Sequence, residues 1–99
     1  MKNVLVHFDF PQGNRQQYDD VWKDLKAAGH GHPKGLLYHV GAQAPTGGFV
    51  VTDVWESEEA FKEFGKVLMP IMEKNKVTVS LPSVMPVFNI YEAQTKPVA

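Results

Sequence analysis

Two histidine–aspartate pairs in this sequence are spaced so that each could carry out acid–base chemistry. His7 and Asp9 lie two positions apart in an alternating segment, so a strand would project both side chains to one side. His39 and Asp53 lie in neighbouring segments with the pattern of a hairpin, so they can meet across its two strands. A carboxylate orients a nearby imidazole, which then serves as a general base. A structural hydrogen bond that holds the sheet or a dimer together is the alternative for both pairs.

Four further side chains are candidates for binding a substrate. Trp55 and Phe49 belong to the same strand as Asp53 and would form an apolar wall, although aromatic rings more often fill protein cores. Asn89 and Tyr91 lie near the C-terminus and could donate hydrogen bonds to a substrate oxygen that becomes negatively charged. A contact with a partner subunit is the alternative for Asn89 and Tyr91.

Metal-binding and phosphate-binding motifs are not evident. His30 and His32 flank a glycine in a loop, but a third ligand at the spacing of zinc sites does not follow, so a solvated loop is the prediction. Cysteine is absent, which removes thiolate ligands and thiol nucleophiles. Gly47 and Gly48 lack the lysine and the helix start of a phosphate loop. We therefore predict no metal and no dissociable cofactor.

The composition indicates one ordinary globular domain. The chain has 99 residues, of which 43% are hydrophobic and 21% charged. A chain of this length forms one hydrophobic core and is too short for two domains. The formal net charge of -1 and the single arginine, Arg15, argue against a nucleic-acid partner, because such proteins collect Lys and Arg on one face. The sequence shows neither a signal peptide nor an apolar run near the roughly 20 residues that cross a membrane. We expect a cytoplasmic protein without membrane contact.

Hydrophobic periodicity predicts six secondary-structure elements. Alternating apolar residues indicate strands, and apolar residues at helical spacing indicate helices. Ser57 is the expected N-cap of the second helix, because its hydroxyl can accept from a backbone N–H of the first turn. Pro70 lacks a backbone donor, so a kink or break is expected near Met69. The predicted elements are strands over 3–10, 36–42, 49–55 and 84–92, and helices over 15–28 and from 58 onward.

The order strand, helix, strand, strand, helix, strand is that of the α+β ferredoxin-like fold. Right-handed crossovers place both helices on one face of a four-stranded antiparallel sheet. We predict a single domain over 1–93, followed by a flexible tail over 94–99.

The two faces of the predicted sheet differ in composition. The face that we expect the helices to cover contains Val4, Val6, Phe8, Val50, Val54, Phe88 and Ile90. The opposite face is expected to contain Leu5, His7, Asp9, Leu37, His39, Phe49, Val51, Asp53, Trp55, Val87, Asn89 and Tyr91. This second face is too apolar to remain in water and too polar for a plain hydrophobic interface. It therefore predicts a homodimer whose two sheets enclose a pocket for a small hydrophobic or aromatic ligand.

The segment 47–64, GGFVVTDVWESEEAFKEF, resembles the corresponding segment of dimeric α/β-barrel proteins related to the antibiotic biosynthesis monooxygenases. Segments 35–40 and 86–90 extend the similarity to most of the chain. The resemblance implies a fold more than a reaction, since similar proteins include cofactor-independent oxygenases, haem-degrading enzymes, lactone isomerases, polyketide cyclases and proteins without an assigned activity. Haem therefore stays open as a cofactor. The resemblance also implies that Trp55 corresponds to a tryptophan that helps these oxygenases bind a quinol-like substrate.

Three functions are compatible with these observations. The first is a small dimeric enzyme, a monooxygenase, cyclase or isomerase, that acts on an aromatic or polyketide-like molecule; His39 or His7 would remove a proton, and Asp53 or Asp9 would orient the base. The second is a non-catalytic ligand-binding or structural dimer. The third, an RNA-recognition module, is disfavoured because such modules display aromatic residues beside Lys and Arg where this sheet would present Asp9 and Asp53.

Overall fold

A computed structural model of the protein describes residues 2–92. Its six elements follow the predicted order. They are β1 (Val4–Phe10), α1 (Arg15–Ala27), β2 (Leu36–Gln43), β3 (Phe49–Trp55), α2 (Glu58–Lys74) and β4 (Ser83–Pro86). The predicted tail over 94–99 lies outside the described residues.

The four strands form one antiparallel sheet in the order β2-β3-β1-β4. Together with two helices on one side, this is the α+β ferredoxin-like fold, so the predicted fold class is confirmed. Within residues 2–92, no helix is long and apolar enough to cross a membrane.

Both helices begin at residues that satisfy their first backbone N–H groups. The Asn14 side chain accepts from the Gln17 backbone N–H, and the Gln17 side chain accepts from the Asn14 backbone N–H, which is a capping box at α1. The Ser57 hydroxyl accepts from the Ala60 N–H at 3.1 Å, as predicted for α2. α2 continues through Pro70 to Lys74, so the helix does not break near Met69, whereas the alternative of a kink there stays a prediction. A proline removes one hydrogen bond from a helix, and the apolar stripe of α2 packs against the core on both sides of that position.

The core lies between the helices and one face of the sheet. Alternate residues of β1, from Val4 to Phe10, are buried, and Val21 and Leu25 of α1 and Met72 of α2 cover them. The buried face of β1 agrees with the prediction for Val4, Val6 and Phe8.

The predicted orientation of β3 is wrong. The register pairs Val4 with Trp55 and Phe8 with Val51, and directly paired residues of an antiparallel ladder project to the same face. Phe49, Val51, Asp53 and Trp55 therefore lie under the helices, whereas Val50 and Val54 lie on the other face, which we call the open face. Both faces of β3 are apolar, so alternation alone does not decide which of them is buried.

A bulge in β2 reverses the predicted side of His39. Leu36 pairs with Trp55 and Tyr38 pairs with Val54, so Leu37 is the extra residue between them. His39 pairs with Asp53 and joins it under the helices, while Tyr38 and Val40 lie on the open face.

The last strand is shorter than predicted. β4 ends at Pro86, since proline has no N–H for the ladder. Asn89 and Tyr91 are therefore not on a sheet face, and the predicted sheet positions of Phe88 and Ile90 are also wrong. Phe88 and Tyr91 are 104% and 86% exposed, respectively.

Candidate functional site

Four side chains between the helices and the sheet form a continuous chain of hydrogen bonds. Tyr18 Oη lies 2.7 Å from His39 Nε2, and His39 Nδ1 lies 2.7 Å from Asp53 Oδ1. Trp55 Nε1–H donates to Asp53 Oδ2 at 3.3 Å. We call these four residues the acid–base chain; α1, β2 and β3 contribute to it.

Local backbone features bring these residues together. Asp53 and Trp55 are two residues apart on β3 and so share a face. The bulge at Leu37 turns His39 toward Asp53. Gly41, also on β2, makes room for Tyr18, because a Cβ at that position would lie 2.7 Å from Tyr18 Cε1.

The hydrogen-bond partners fit one arrangement of the protons. Asp53 is 7% exposed and its carboxylate accepts on both oxygens, so His39 Nδ1 carries a proton. With one ring proton, on Nδ1, the His39 Nε2 is an acceptor, and the Tyr18 hydroxyl donates to it. Burial raises the pKa of Tyr18, so this phenol keeps its proton at neutral pH. Tyr18, His39 and Asp53 therefore form a continuous series of hydrogen-bond donors and acceptors, along which a proton can pass.

A small apolar cavity adjoins the acid–base chain. Its volume is about 60 Å³, which is room for a few water molecules. His39 and Asp53 are its polar wall. The lining residues are Phe8, Phe10, Tyr18, Val21, Trp22, Leu25, Leu36, His39, Phe49, Val51, Asp53, Phe64, Leu68, Met72 and Val77.

A larger groove lies on the other side of Tyr18 and Phe49, which line both spaces. Its volume is about 610 Å³. We call it the outer groove. Its other lining residues are Gly13, Asn14, Arg15, Gly41, Ala42, Gln43 and Gly48.

Haem does not fit the cavity as it stands. A volume of about 60 Å³ does not admit a macrocycle. His39 is the histidine among the lining residues, and Tyr18 and Asp53 occupy both of its ring nitrogens. In residues 2–92, no three His, Cys, Asp or Glu side chains are grouped closely enough to hold a metal ion.

The second predicted pair, His7 and Asp9, lies on the open face and not with the first. His7 Nε2 is 3.1 Å from Asp9 Oδ1, and His7 Nδ1 is 2.9 Å from Thr52 Oγ1. The Asp9 side chain is 67% exposed, so water competes for this pair. The sheet therefore separates the two histidine–aspartate pairs.

The four predicted binding residues have different surroundings. Trp55 is 0% exposed, so its ring packs in the core against Phe61 and Phe64 and does not face either space. Phe49 lines both the cavity and the outer groove. Asn89 and Tyr91 lie beyond the end of β4, and neither lines the cavity or the outer groove.

Sequence reasoning assigned Tyr18 and Trp22 to the helix core and so missed their contacts with His39. Trp22 meets the imidazole edge-on, with ring centroids 5.0 Å apart. A buried tyrosine hydroxyl normally has a partner, and this rule was the available signal for Tyr18. Its partner lies 21 positions away, on another element.

The sequence and the fold define a class of protein. Residues 1–66 match the model of the antibiotic biosynthesis monooxygenase family, so the chain belongs to that family.

Solved structures agree on the fold. A protein from Mycobacterium tuberculosis superposes with a TM-score of 0.58 at 12% identity, covering 95% of this chain and 100% of its own. Proposed antibiotic biosynthesis monooxygenases from Caulobacter crescentus and Deinococcus radiodurans superpose with TM-scores of 0.54 and 0.52, at 18% and 10% identity. The first covers 91% of this chain and 90% of its own, and the second covers 98% and 100%. The sequence matches none of the curated proteins.

Proposed function

We propose that the protein is a monooxygenase that removes a proton from an acidic aromatic molecule and lets the resulting carbanion react with dioxygen. The observation that carries the proposal is the hydrogen-bonded chain of Tyr18, His39 and Asp53, with separations of 2.7 Å and 2.7 Å, at the wall of a cavity and a groove. Membership of the monooxygenase family supports it.

The reaction needs a base and no separate reductant. An activated methylene group between two aromatic rings loses both of its hydrogens and becomes a carbonyl group, while one molecule of dioxygen is consumed and one molecule of water is formed. The substrate supplies all the electrons that reduce dioxygen; one oxygen atom enters the carbonyl group and the other leaves as water. The proposal therefore includes no dissociable cofactor.

His39 is the final proton acceptor in this proposal. Asp53 stabilises the imidazolium that forms, and Trp55 holds the second carboxylate oxygen in place. The pair is partly withdrawn from water, which strengthens its electrostatic interaction. A positioned base of this kind contributes about 10²–10⁴-fold to a rate.

The alternative is a non-catalytic ligand-binding or structural dimer. It is favoured by the completeness of the acid–base chain, because in residues 2–92 no buried side-chain nitrogen or oxygen lacks a hydrogen-bond partner. In that case the chain would only satisfy its own polar groups.

We also propose that a second copy of the protein covers the open face. Large apolar side chains on and beside this face are exposed in one protomer, including Val40 at 59%, Met85 at 44% and Phe88 at 104%. An exposed apolar area of this kind marks an interaction surface. The barrel interior between two such sheets would not contain the acid–base chain, which lies on the helix side.

Oxygen consumption tests the proposed reaction. The purified protein is supplied with anthrones and quinols in an oxygen electrode, and incorporation of ¹⁸O from ¹⁸O₂ is followed by mass spectrometry. His39→Gln is expected to lower kcat about 10²–10⁴-fold. His32→Gln, in an exposed loop, is the matched control and is expected to behave as the wild type.

Two results would contradict the proposal. The first is no oxygen uptake above the uncatalysed rate with any substrate. The second is unchanged uptake in His39→Gln; a loss in His7→Gln instead would assign the activity to the pair on the open face.

A further inference from the structure

We infer that Tyr18, and not His39, touches the substrate, and that the substrate lies in the outer groove and not in the apolar cavity. The inference rests on the proposed function. The class of substrate is a planar phenol that carries a carboxylate together with the activated methylene group that is oxidised.

His39 has no nitrogen left for a substrate. Its Nε2 accepts from Tyr18 at 2.7 Å and its Nδ1 donates to Asp53 at 2.7 Å. The Tyr18 hydroxyl uses its one hydrogen for His39 and keeps acceptor capacity on its oxygen. The oxygen of Tyr18 is therefore the end of the acid–base chain that a substrate proton can reach.

The volumes of the two spaces favour the outer groove. Ligand pockets have volumes of about 300–1,000 Å³. The groove, at about 610 Å³, is within this range, and the cavity, at about 60 Å³, is far below it. The lining of the groove includes the aromatic rings of Tyr18 and Phe49, on which a planar molecule can stack.

The charge of the groove indicates the class of substrate. Among the described residues that line it, Arg15 is the one charged side chain. Its Nε–H donates to Asp19 at 2.9 Å, which leaves the terminal N–H groups of the guanidinium for a carboxylate. Gln43 is an exposed lining residue whose amide can bind a further substituent.

The proton moves in a relay. A C–H bond of the substrate's activated methylene group breaks as that proton joins Tyr18 Oη, and the original Tyr18 proton passes to His39 Nε2. The products are a substrate anion and an imidazolium, and no charge remains on Tyr18. The raised pKa of Tyr18, caused mainly by burial, fits a phenol that relays a proton without standing as a phenolate.

NMR locates the substrate without requiring turnover. The ¹⁵N-labelled full chain is titrated with 3-hydroxy-2-naphthoate, a carboxylated planar phenol. The expected result is saturable shifts of the backbone amides of Gly41, Gln43 and Gly48, with little change at Val21 and Leu25. Shifts at the two cavity residues with an unchanged groove, or no saturable binding at millimolar probe, would overturn the inference.

Two substitutions that add side-chain volume, one in the groove and one in the cavity, test the same point through the Kd of the naphthoate. Gln43→Trp places a large ring in the groove and is expected to weaken naphthoate binding at least tenfold. Val21→Ile extends a side chain into the cavity and is expected to leave Kd within twofold. The opposite pattern would place the ligand in the cavity.

The role of Arg15 is tested with a pair of ligands. Wild-type protein is expected to bind 3-hydroxy-2-naphthoate several-fold more tightly than 2-naphthol, which lacks the carboxylate. Arg15→Gln is expected to remove this difference. Equal affinities in the wild type would overturn the carboxylate preference.

Tyr18→Phe tests the relay, because it keeps the ring and removes the hydroxyl. We expect kcat for oxygen uptake to fall about 10²-fold while the Kd of the naphthoate stays within threefold. Unchanged kcat would overturn the role of Tyr18. If no substrate is oxidised, the proposed function fails, but the NMR titration still decides whether the groove binds a phenol.

Discussion

At the scale of single residues, Asp53 holds the candidate site together. Its two oxygens accept from His39 and from Trp55, and its side chain is nearly buried. Each partner would lose its acceptor without this carboxylate, and a buried donor without an acceptor is costly. Asp53 therefore has a structural role whether or not the protein is an enzyme.

Asp53→Asn is expected to destabilise the fold by about 1–3 kcal/mol, because the amide NH₂ faces one of two N–H donors and cannot accept from it. Urea denaturation followed by tryptophan fluorescence measures the loss. Asp9→Asn, on the exposed pair, is the control and is expected to change stability by less than about 0.5 kcal/mol. Equal effects of the two substitutions would contradict this account of Asp53.

At the scale of elements, α2 contains a glycine that its surroundings do not require. A Cβ at Gly65 would meet nothing within 4 Å, whereas a Cβ at Gly41 or Gly35 would meet a side chain at 2.7 Å. Gly65 lies inside α2, where a glycine is less favourable than alanine because it loses more backbone entropy on folding.

Gly65→Ala is expected to stabilise the protein by about 0.5–1 kcal/mol, measured as a rise in Tm. Gly29 is the contrasting position, since its Cβ would also meet nothing within 4 Å but its φ is +85°. Gly29→Ala is expected to lower Tm, because an L side chain is strained in this region. A fall in Tm for Gly65→Ala would contradict this expectation. It would mean that the added methyl group meets a neighbour outside the single protomer.

A polar contact ties α1 to the end of α2. Asn75, the C-cap of α2, donates to Asp24 Oδ2 at 2.9 Å, and Lys74 Nζ is 3.4 Å from the same oxygen. The hydrogen bond from Asn75, with a smaller contribution from Lys74, lowers the pKa of Asp24. A lowered folded-state pKa adds stability above the unfolded value of about 3.9 and loses it as pH falls through the folded value.

Asp24→Asn is therefore expected to lower Tm at pH 5–7 and to approach the wild type as pH falls through the lowered folded-state pKa of Asp24, where the wild-type carboxyl also becomes neutral. Thermal melts at a series of pH values measure the difference. Asp20→Asn on the same helix, where Gln16 is the partner, is the control. A difference in Tm that stays constant from pH 7 to pH 2 would rule out a contribution from the Asp24 charge.

At the scale of the whole molecule, the protein has one covered and one uncovered sheet face. The helices bury the face that carries the acid–base chain, and the open face and the segment after β4 leave apolar side chains exposed. The two faces of the sheet therefore have different proposed roles. The covered face carries the acid–base chain, and the open face is the proposed contact with a second copy.

Phe88→Ser is expected to shift the protein from dimer to monomer in sedimentation velocity at micromolar concentration. The ring is 104% exposed in one protomer, so its loss changes little unless a second copy covers it. Met69→Gln, on the exposed side of α2 at 48%, is the control and is expected to leave the dimer intact. Wild-type protein that sediments as a monomer would remove the proposed interface.

The order of the elements and their boundaries near β1, β3 and Ser57 could be predicted from the sequence, because alternation, helical spacing and capping are local properties. The ferredoxin-like fold follows from that order. The pairing of His39 with Asp53 could also be predicted, since a hairpin brings its two strands together. These features need only the spacing of residues along the chain.

Three other features were decided by the tertiary structure. The buried side of β3 depends on its register with β1. Both faces of this strand are apolar, so the sequence does not tell the face of Phe49, Val51 and Trp55 from the face of Val50 and Val54. The position of His39 depends on the bulge at Leu37, which is a two-strand property. Tyr18 reaches His39 only because α1 packs over Gly41, where a side chain is missing. Each of these needs two elements in contact, and such contacts have no local signature in a single sequence.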